Sequence, residues 1–62
     1  NMSKVKQWAE DTAEKSVDLI IKKLKDGQID LDTATTDILS VENVQMTGIN
    51  ADNVGEVISE NA

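Results

Sequence analysis

Three acidic residues, Asp30, Asp32 and Asp37, have the residue type and the close spacing that suit calcium binding. A loop of EF-hand type starting at Asp30 would need an oxygen ligand at position 34, a Gly at position 35 and a bidentate acid at position 41. The chain has other residues at all three positions, namely Ala34, Thr35 and Val41. We therefore expect no metal site here, and we interpret these acids as a helix cap and first-turn acids.

Catalysis has few of its usual groups in this chain. His, Cys and Tyr are absent, so the commonest general bases, metal ligands and nucleophiles are missing. Ser, Thr, Lys and carboxylates remain, but their spacing indicates no site, and a few short helices enclose little pocket volume. We expect a protein that is not an enzyme and that holds no cofactor.

The charged residues are distributed unevenly. All six Lys precede Gly27, where five acids reduce the net charge to +1, whereas residues 27–62 hold seven acids and no base. Asp52, Glu56 and Glu60 form an acidic face on the last predicted helix. Two interpretations stay open: the acids solubilise a small helical protein, or they imitate nucleic acid and occupy a basic site on a DNA- or RNA-handling protein.

The segment "MTGINADNVGEVI" resembles the turn and second helix of the DNA-binding helix-turn-helix family. Gly48 matches the turn glycine, Ile49 the apolar residue after it, and Val54 and Val57 the apolar residues of the recognition helix. The resemblance implies a helix in the major groove. However, Asn43 occupies an apolar position, and the segment carries acids and no base, whereas phosphate and guanine contacts use Lys and Arg. We expect no direct nucleic-acid binding.

The elements that position these residues are predicted to be helices, in an all-α, small three-helix domain spanning residues 1–62. The long first helix covers about residues 3–25, and two shorter helices cover about 31–45 and 51–60. Asp30 and Asn50 are predicted N-caps. The Ile before each cap can pack on the apolar residue four positions after the cap, as a hydrophobic staple, which pairs Ile49 with Val54. A break of the second helix near Ser40 stays open, because Thr and Ser weaken that segment.

The apolar arc of the first helix spans about 220°, against the ~100° or somewhat more that a one-sided helix needs. Its centre is predicted near Ile20, which we expect to be more buried than Ile21. Trp8 is interpreted equally as an interface anchor and as part of the intramolecular core. Because two short helices cannot cover this arc, we expect a homo-oligomer. The candidate interface residues are Val5, Trp8, Leu19 and Ile21.

Size also favours a partner. A domain of this length buries only about 60% of its unfolded surface, and the chain has no disulfide to add stability. No apolar run approaches the roughly 18 residues of a membrane-spanning helix, and no secretory leader precedes the first helix, so we expect a cytoplasmic protein that does not contact a membrane. The sequence favours a protein–protein interaction module (an adaptor, inhibitor or assembly subunit) with an unidentified protein partner, and the nucleic-acid mimic is the alternative.

Overall fold

The computed structural model describes residues 2–62, with side chains from Lys4 onward. The element order is α1 (Met2–Lys25), α2 (Leu31–Leu39), a 3₁₀ turn (Val44–Thr47) and α3 (Val54–Asn61). This confirms the all-α prediction of one long N-terminal helix followed by two shorter helices. No strand occurs within residues 2–62.

The C-terminal end of α1 lies where the sequence predicts it. Gly27 has φ 77°, a left-handed conformation that Gly adopts without a steric cost. Its amide donates to the Leu24 carbonyl at 3.1 Å, and the Gln28 amide donates to the Lys23 carbonyl at 2.9 Å. These two bonds form a Schellman motif. Three lysines in the last turn also interact favourably with the helix dipole.

The second helix is six residues shorter than predicted, because it ends at Leu39 and not near Gln45. Its start agrees with the prediction, since Asp30 Oδ1 accepts the Thr33 amide at 2.8 Å. At its end the Ser40 hydroxyl donates back to the Thr36 carbonyl at 2.8 Å, a bond that competes with helix continuation. Asn43 then takes φ 65°, which a continuing right-handed helix does not permit.

The third helix begins at Val54, three residues later than predicted. The predicted N-cap is therefore wrong in position, because the N-cap residue of α3 is Asn53, without a side-chain cap bond. The Asn50 side-chain oxygen instead closes the preceding turn by accepting the amides of Asp52 at 2.8 Å and Asn53 at 3.0 Å. In the other direction, the Asn50 amide N–H donates to the side-chain oxygen of Asn53 at 2.8 Å. This reciprocal pair has the bond pattern of a capping box, but it lies in the turn that precedes α3. Ile49 and Val54, the predicted staple, are both buried in the core cluster.

The core lies where α1 packs on α2 and on the 3₁₀ turn, and where α2 packs on α3. Ile38 is its largest fully buried side chain. The other buried members of this cluster are Val17, Ile21, Ile49, Val54 and Ile58.

The predicted rotation of α1 about its axis is wrong. Ile21 is only 5% exposed, whereas Ile20 is half-buried at the edge of the core. Within residues 4–25 the buried side chains of α1 are Ala13, Val17 and Ile21, spaced four residues apart. Val5 continues this spacing two steps toward the N-terminus, but it is 65% exposed. Ile21 is therefore a core residue and does not belong to a surface interface of the folded chain.

The N-terminal part of α1 extends beyond the packed part of the molecule. A 24-residue helix is about 36 Å long at 1.5 Å per residue, and the longest dimension of the molecule is 40 Å. Residues 4–8 are all exposed, and the first fully buried side chain of α1 is Ala13. We call residues 4–8 the overhang.

Candidate interaction surface

Three large apolar side chains of α1 remain exposed: Val5 at 65%, Trp8 at 68% and Leu19 at 56%. Residues 5, 8 and 19 lie within about 60° of one another around a helix of 3.6 residues per turn. We call them the outer face of α1. The structure therefore leaves three of the four residues predicted for the interface exposed on one side of α1, with Leu19 about 16 Å along the helix from Trp8, and it buries Ile21. The Trp8 indole is largely in solvent, so it contributes little to the intramolecular core.

A groove of about 240 Å³ runs beside Trp8, between α1 and the turn at Val41–Asn43. We call it the Trp8 groove. Its α1 side is formed by Trp8 and four smaller residues: Ala9, Thr12, Ala13 and Ser16. Its other wall is formed by Val41, Glu42 and Asn43. Small-molecule sites measure roughly 300–1,000 Å³, so this volume suits one or two side chains better than a cofactor.

The polar groups beside the groove leave most of its surface apolar. The Thr12 hydroxyl donates to the Trp8 carbonyl at 2.8 Å, so its donor is already used within α1. Val41 is half-buried and packs against the core, which fixes the turn that carries the second wall. Glu42 is exposed at the edge of the groove. The sequence did not predict the groove, because residues 41–43 were placed inside the second helix.

The acidic face predicted on the third helix is exposed, but it is split between two elements. Glu56 and Glu60 lie one turn apart on α3, whereas Asp52 lies in the turn that precedes the helix. All seven acids from Gly27 onward have exposed side chains. This half of the molecule therefore presents negative charge to solvent, while the six Lys of α1 are also exposed.

The Asp30 carboxylate is engaged by the backbone. The amide N–H of Thr33, and then the Thr33 hydroxyl, lower the pKa of Asp30 below its ordinary value by stabilising the charged form. Its role is to cap α2. Within residues 2–62, no group of three or more acidic, His or Cys side chains is placed to hold a metal ion.

A second depression of about 420 Å³ lies beside the C-terminal half of α1 and the end of α3. It is larger than the Trp8 groove, but its ionic side chains carry both signs and it contains no exposed apolar anchor. Its lining residues are Asp18, Ile21, Lys22, Lys25, Asp26 and Asn61.

The helix-turn-helix resemblance does not extend to the geometry. That motif joins two helices through a turn of three or four residues, whereas residues 40–53 separate α2 from α3. The segment before Gly48 is a 3₁₀ turn, and Asn53 Nδ2 donates to the Gly48 carbonyl at 2.8 Å. The residues that suggested DNA recognition thus close a connection between two helices.

Comparison of the chain with protein-family models, with curated proteins and with solved structures finds no match. None of the helices in residues 2–62 combines the length and the apolar character that crossing a membrane requires.

Proposed function

We propose that this protein is a non-catalytic protein–protein interaction module that binds protein chains through the outer face of α1. Self-association into a closed homo-oligomer is part of the proposal. The observation that carries it is the overhang, where Val5 and Trp8 are 65% and 68% exposed at the N-terminal end of α1. An adaptor, an inhibitor and an assembly subunit would all use such a surface.

The energetics favour a bound state for this surface. An aromatic side chain that removes about 150 Å² of surface from water gains roughly 4 kcal/mol of transfer free energy, from which the entropic costs of association are subtracted. Trp is also enriched among the residues that dominate binding energy at interfaces. Leu19 lies on the same side of α1 and extends the apolar surface toward the packed part of the molecule.

Affinity capture from the natural host, followed by mass spectrometry, tests the proposal. The tagged chain is compared with Trp8→Ala and with Leu31→Ala, because Leu31 is 56% exposed on α2 and lies outside the outer face. We expect the Trp8 variant to lose the captured proteins and the Leu31 variant to keep them. Capture that is equal for all three chains, together with a monomeric mass in light scattering, would contradict the proposal.

A second candidate function follows from the seven exposed acids after Gly27. In this alternative the protein imitates nucleic acid and inhibits a DNA- or RNA-handling protein at its basic site. Binding would then fall steeply with salt, and the triple variant Asp52→Asn, Glu56→Gln, Glu60→Gln would bind weakly. Binding through the outer face of α1 predicts a much weaker salt dependence, because few charges lie beside that face, and no effect of these three substitutions.

Both candidates include a cytoplasmic place of action. Fluorescence microscopy of the tagged chain tests that expectation, and a signal confined to the cell surface or the medium would contradict it.

A further inference from the structure

We infer that the Trp8 groove of one copy receives the overhang of a second copy, in a two-fold symmetric dimer with antiparallel α1 helices. This inference rests on the proposed function, because it specifies the occupant of the same surface. In this dimer Val5 of one copy lies inside the groove of the second copy, and Trp8 of the second copy forms the groove wall that covers Val5.

The charges of the two surfaces are complementary. The overhang, Lys4–Trp8, carries two Lys and no acid. The opposite wall of the groove carries Glu42 and belongs to the half of the chain that contains no base. The first turn of α1 also has no acid to offset the helix dipole, so a neighbouring carboxylate from another copy would stabilise it. The groove therefore favours a basic, apolar helical segment, which the chain itself contains.

The overhang cannot occupy the groove of its own chain. Val5 lies in the same continuous helix as the groove residues, Ala9 to Ser16. Folding back would break several helical hydrogen bonds and leave their backbone groups unpaired. The contact must therefore form between two chains.

Two-fold symmetry follows from the position of both surfaces on one side of the molecule. An isologous interface places the same patch of each subunit against the other. The overhang and the groove that receives it must therefore lie close together on each subunit. Here Val5 projects one turn before the groove, and Trp8 forms the groove wall. The α1 side of the groove consists largely of small residues, which permit two helices to approach closely. Docking buries no free Thr12 hydroxyl donor, because that donor is already bonded to the Trp8 carbonyl.

Sedimentation equilibrium of the full chain, combined with the emission of its single Trp, tests the dimer. We expect a monomer–dimer equilibrium in the micromolar range and a blue shift of Trp emission as the dimer forms. Val5→Ser and Trp8→Ala should each weaken the dimer by more than about tenfold, and Leu31→Ala should leave it unchanged. All these side chains are exposed in the monomer, so unfolding temperatures measured at low concentration should stay close to that of the parent.

Charge variants give the sharper test. Glu42→Lys and Glu60→Lys both change the net charge of the chain from −6 to −4, which lowers the general repulsion between copies equally. We expect Glu42→Lys to weaken the dimer and Glu60→Lys to leave it unchanged. The triple variant Lys4→Glu, Lys6→Glu, Glu42→Lys should restore the dimer.

A chain that stays monomeric to millimolar concentration would overturn the inference and the self-association in the proposed function. Trp8-dependent capture of host proteins would still support protein binding through the outer face of α1. A dimer that Trp8→Ala breaks, but that responds identically to Glu42→Lys and Glu60→Lys, would also overturn the groove contact and retain self-association.

Discussion

Ile21 and Ile20 are neighbours in the chain but differ in their surroundings. Ile21 is 5% exposed and belongs to the core cluster, whereas Ile20 only packs against its edge. Truncating a buried Ile costs about 2–5 kcal/mol, so we expect Ile21→Ala to destabilise the chain more than Ile20→Ala. Urea midpoints of the two variants provide the measurement. A larger loss for the Ile20 variant would mean that α1 packs with another face inward.

Asn50 and Asn53 hold the connection into α3 through their reciprocal bonds. Asn50→Ala removes two acceptor contacts from the turn before α3, and loss of side-chain bonds of this capping type costs roughly 0.5–2 kcal/mol. Asn50→Asp keeps the acceptor and should be tolerated. Thermal unfolding of both variants measures this difference. Asn61→Ala is the control, since its side chain bonds only to the Val57 carbonyl at the end of the helix. Equal stability of Asn50→Ala and this control would contradict this role of the Asn50 side chain.

Asp30 should make part of the stability depend on pH. The lowered pKa of its carboxyl in the folded state means that its contribution is present above the unfolded pKa of about 3.9 and is lost as pH falls through the folded pKa. Asp30→Asn keeps an acceptor that does not titrate. We expect the parent to lose more stability than Asp30→Asn between pH 5 and pH 2. Thermal unfolding of both proteins in the same series of buffers measures this difference. Parallel losses in the two proteins would show that the Thr33 bond has no effect on the carboxyl.

At the scale of elements, the turn between α2 and the 3₁₀ turn determines the second wall of the Trp8 groove. Asn43 takes φ 65° there, a conformation that costs non-Gly residues energy and that Asn tolerates better than most. Asn43→Gly should therefore preserve the fold or stabilise it slightly, whereas Asn43→Val should destabilise it by about 1–2 kcal/mol. Denaturant unfolding compares the two. Equal stabilities would show that this residue is not left-handed in solution.

The sequence predicts the elements better than it predicts their faces. The Gly27 terminus and the Asp30 cap are local, because a few adjacent residues determine them, and both occur. The Asn50 side chain makes local bonds too, but they close the turn before α3 and do not cap the helix. The face of α1 depends on which residues find a partner. Val5 was counted in the predicted apolar stripe, but it lies on the overhang and is 65% exposed. Counting apolar residues from this end of α1 contributed to placing the centre of the predicted stripe near Ile20 and not nearer Ile21.

At the scale of the whole molecule, the candidate surface was predictable in part. Val5, Trp8 and Leu19 were identified from the width of the apolar arc of the first helix, because the two short helices cannot cover it. The groove was not, since it requires α2 to end at Leu39 so that the chain can turn back at Val41–Asn43 toward α1. Side-chain hydrogen bonds of Thr and Ser decide that ending, and their balance with helix propensity is too close to read from sequence.

The overhang has a further consequence for local opening. Its turns are hydrogen-bonded as helix, but they lack the tertiary contacts that hold the rest of α1, and isolated helical segments of this length are marginal in water. Their amide hydrogens should exchange with solvent much faster than those around Val17 and Ile21. Binding that covers Trp8 would then slow amide exchange at the N-terminal end of α1 and leave the rates around Val17 and Ile21 unchanged. The difference in exchange rate between the two ends of one helix would therefore show whether a partner is bound.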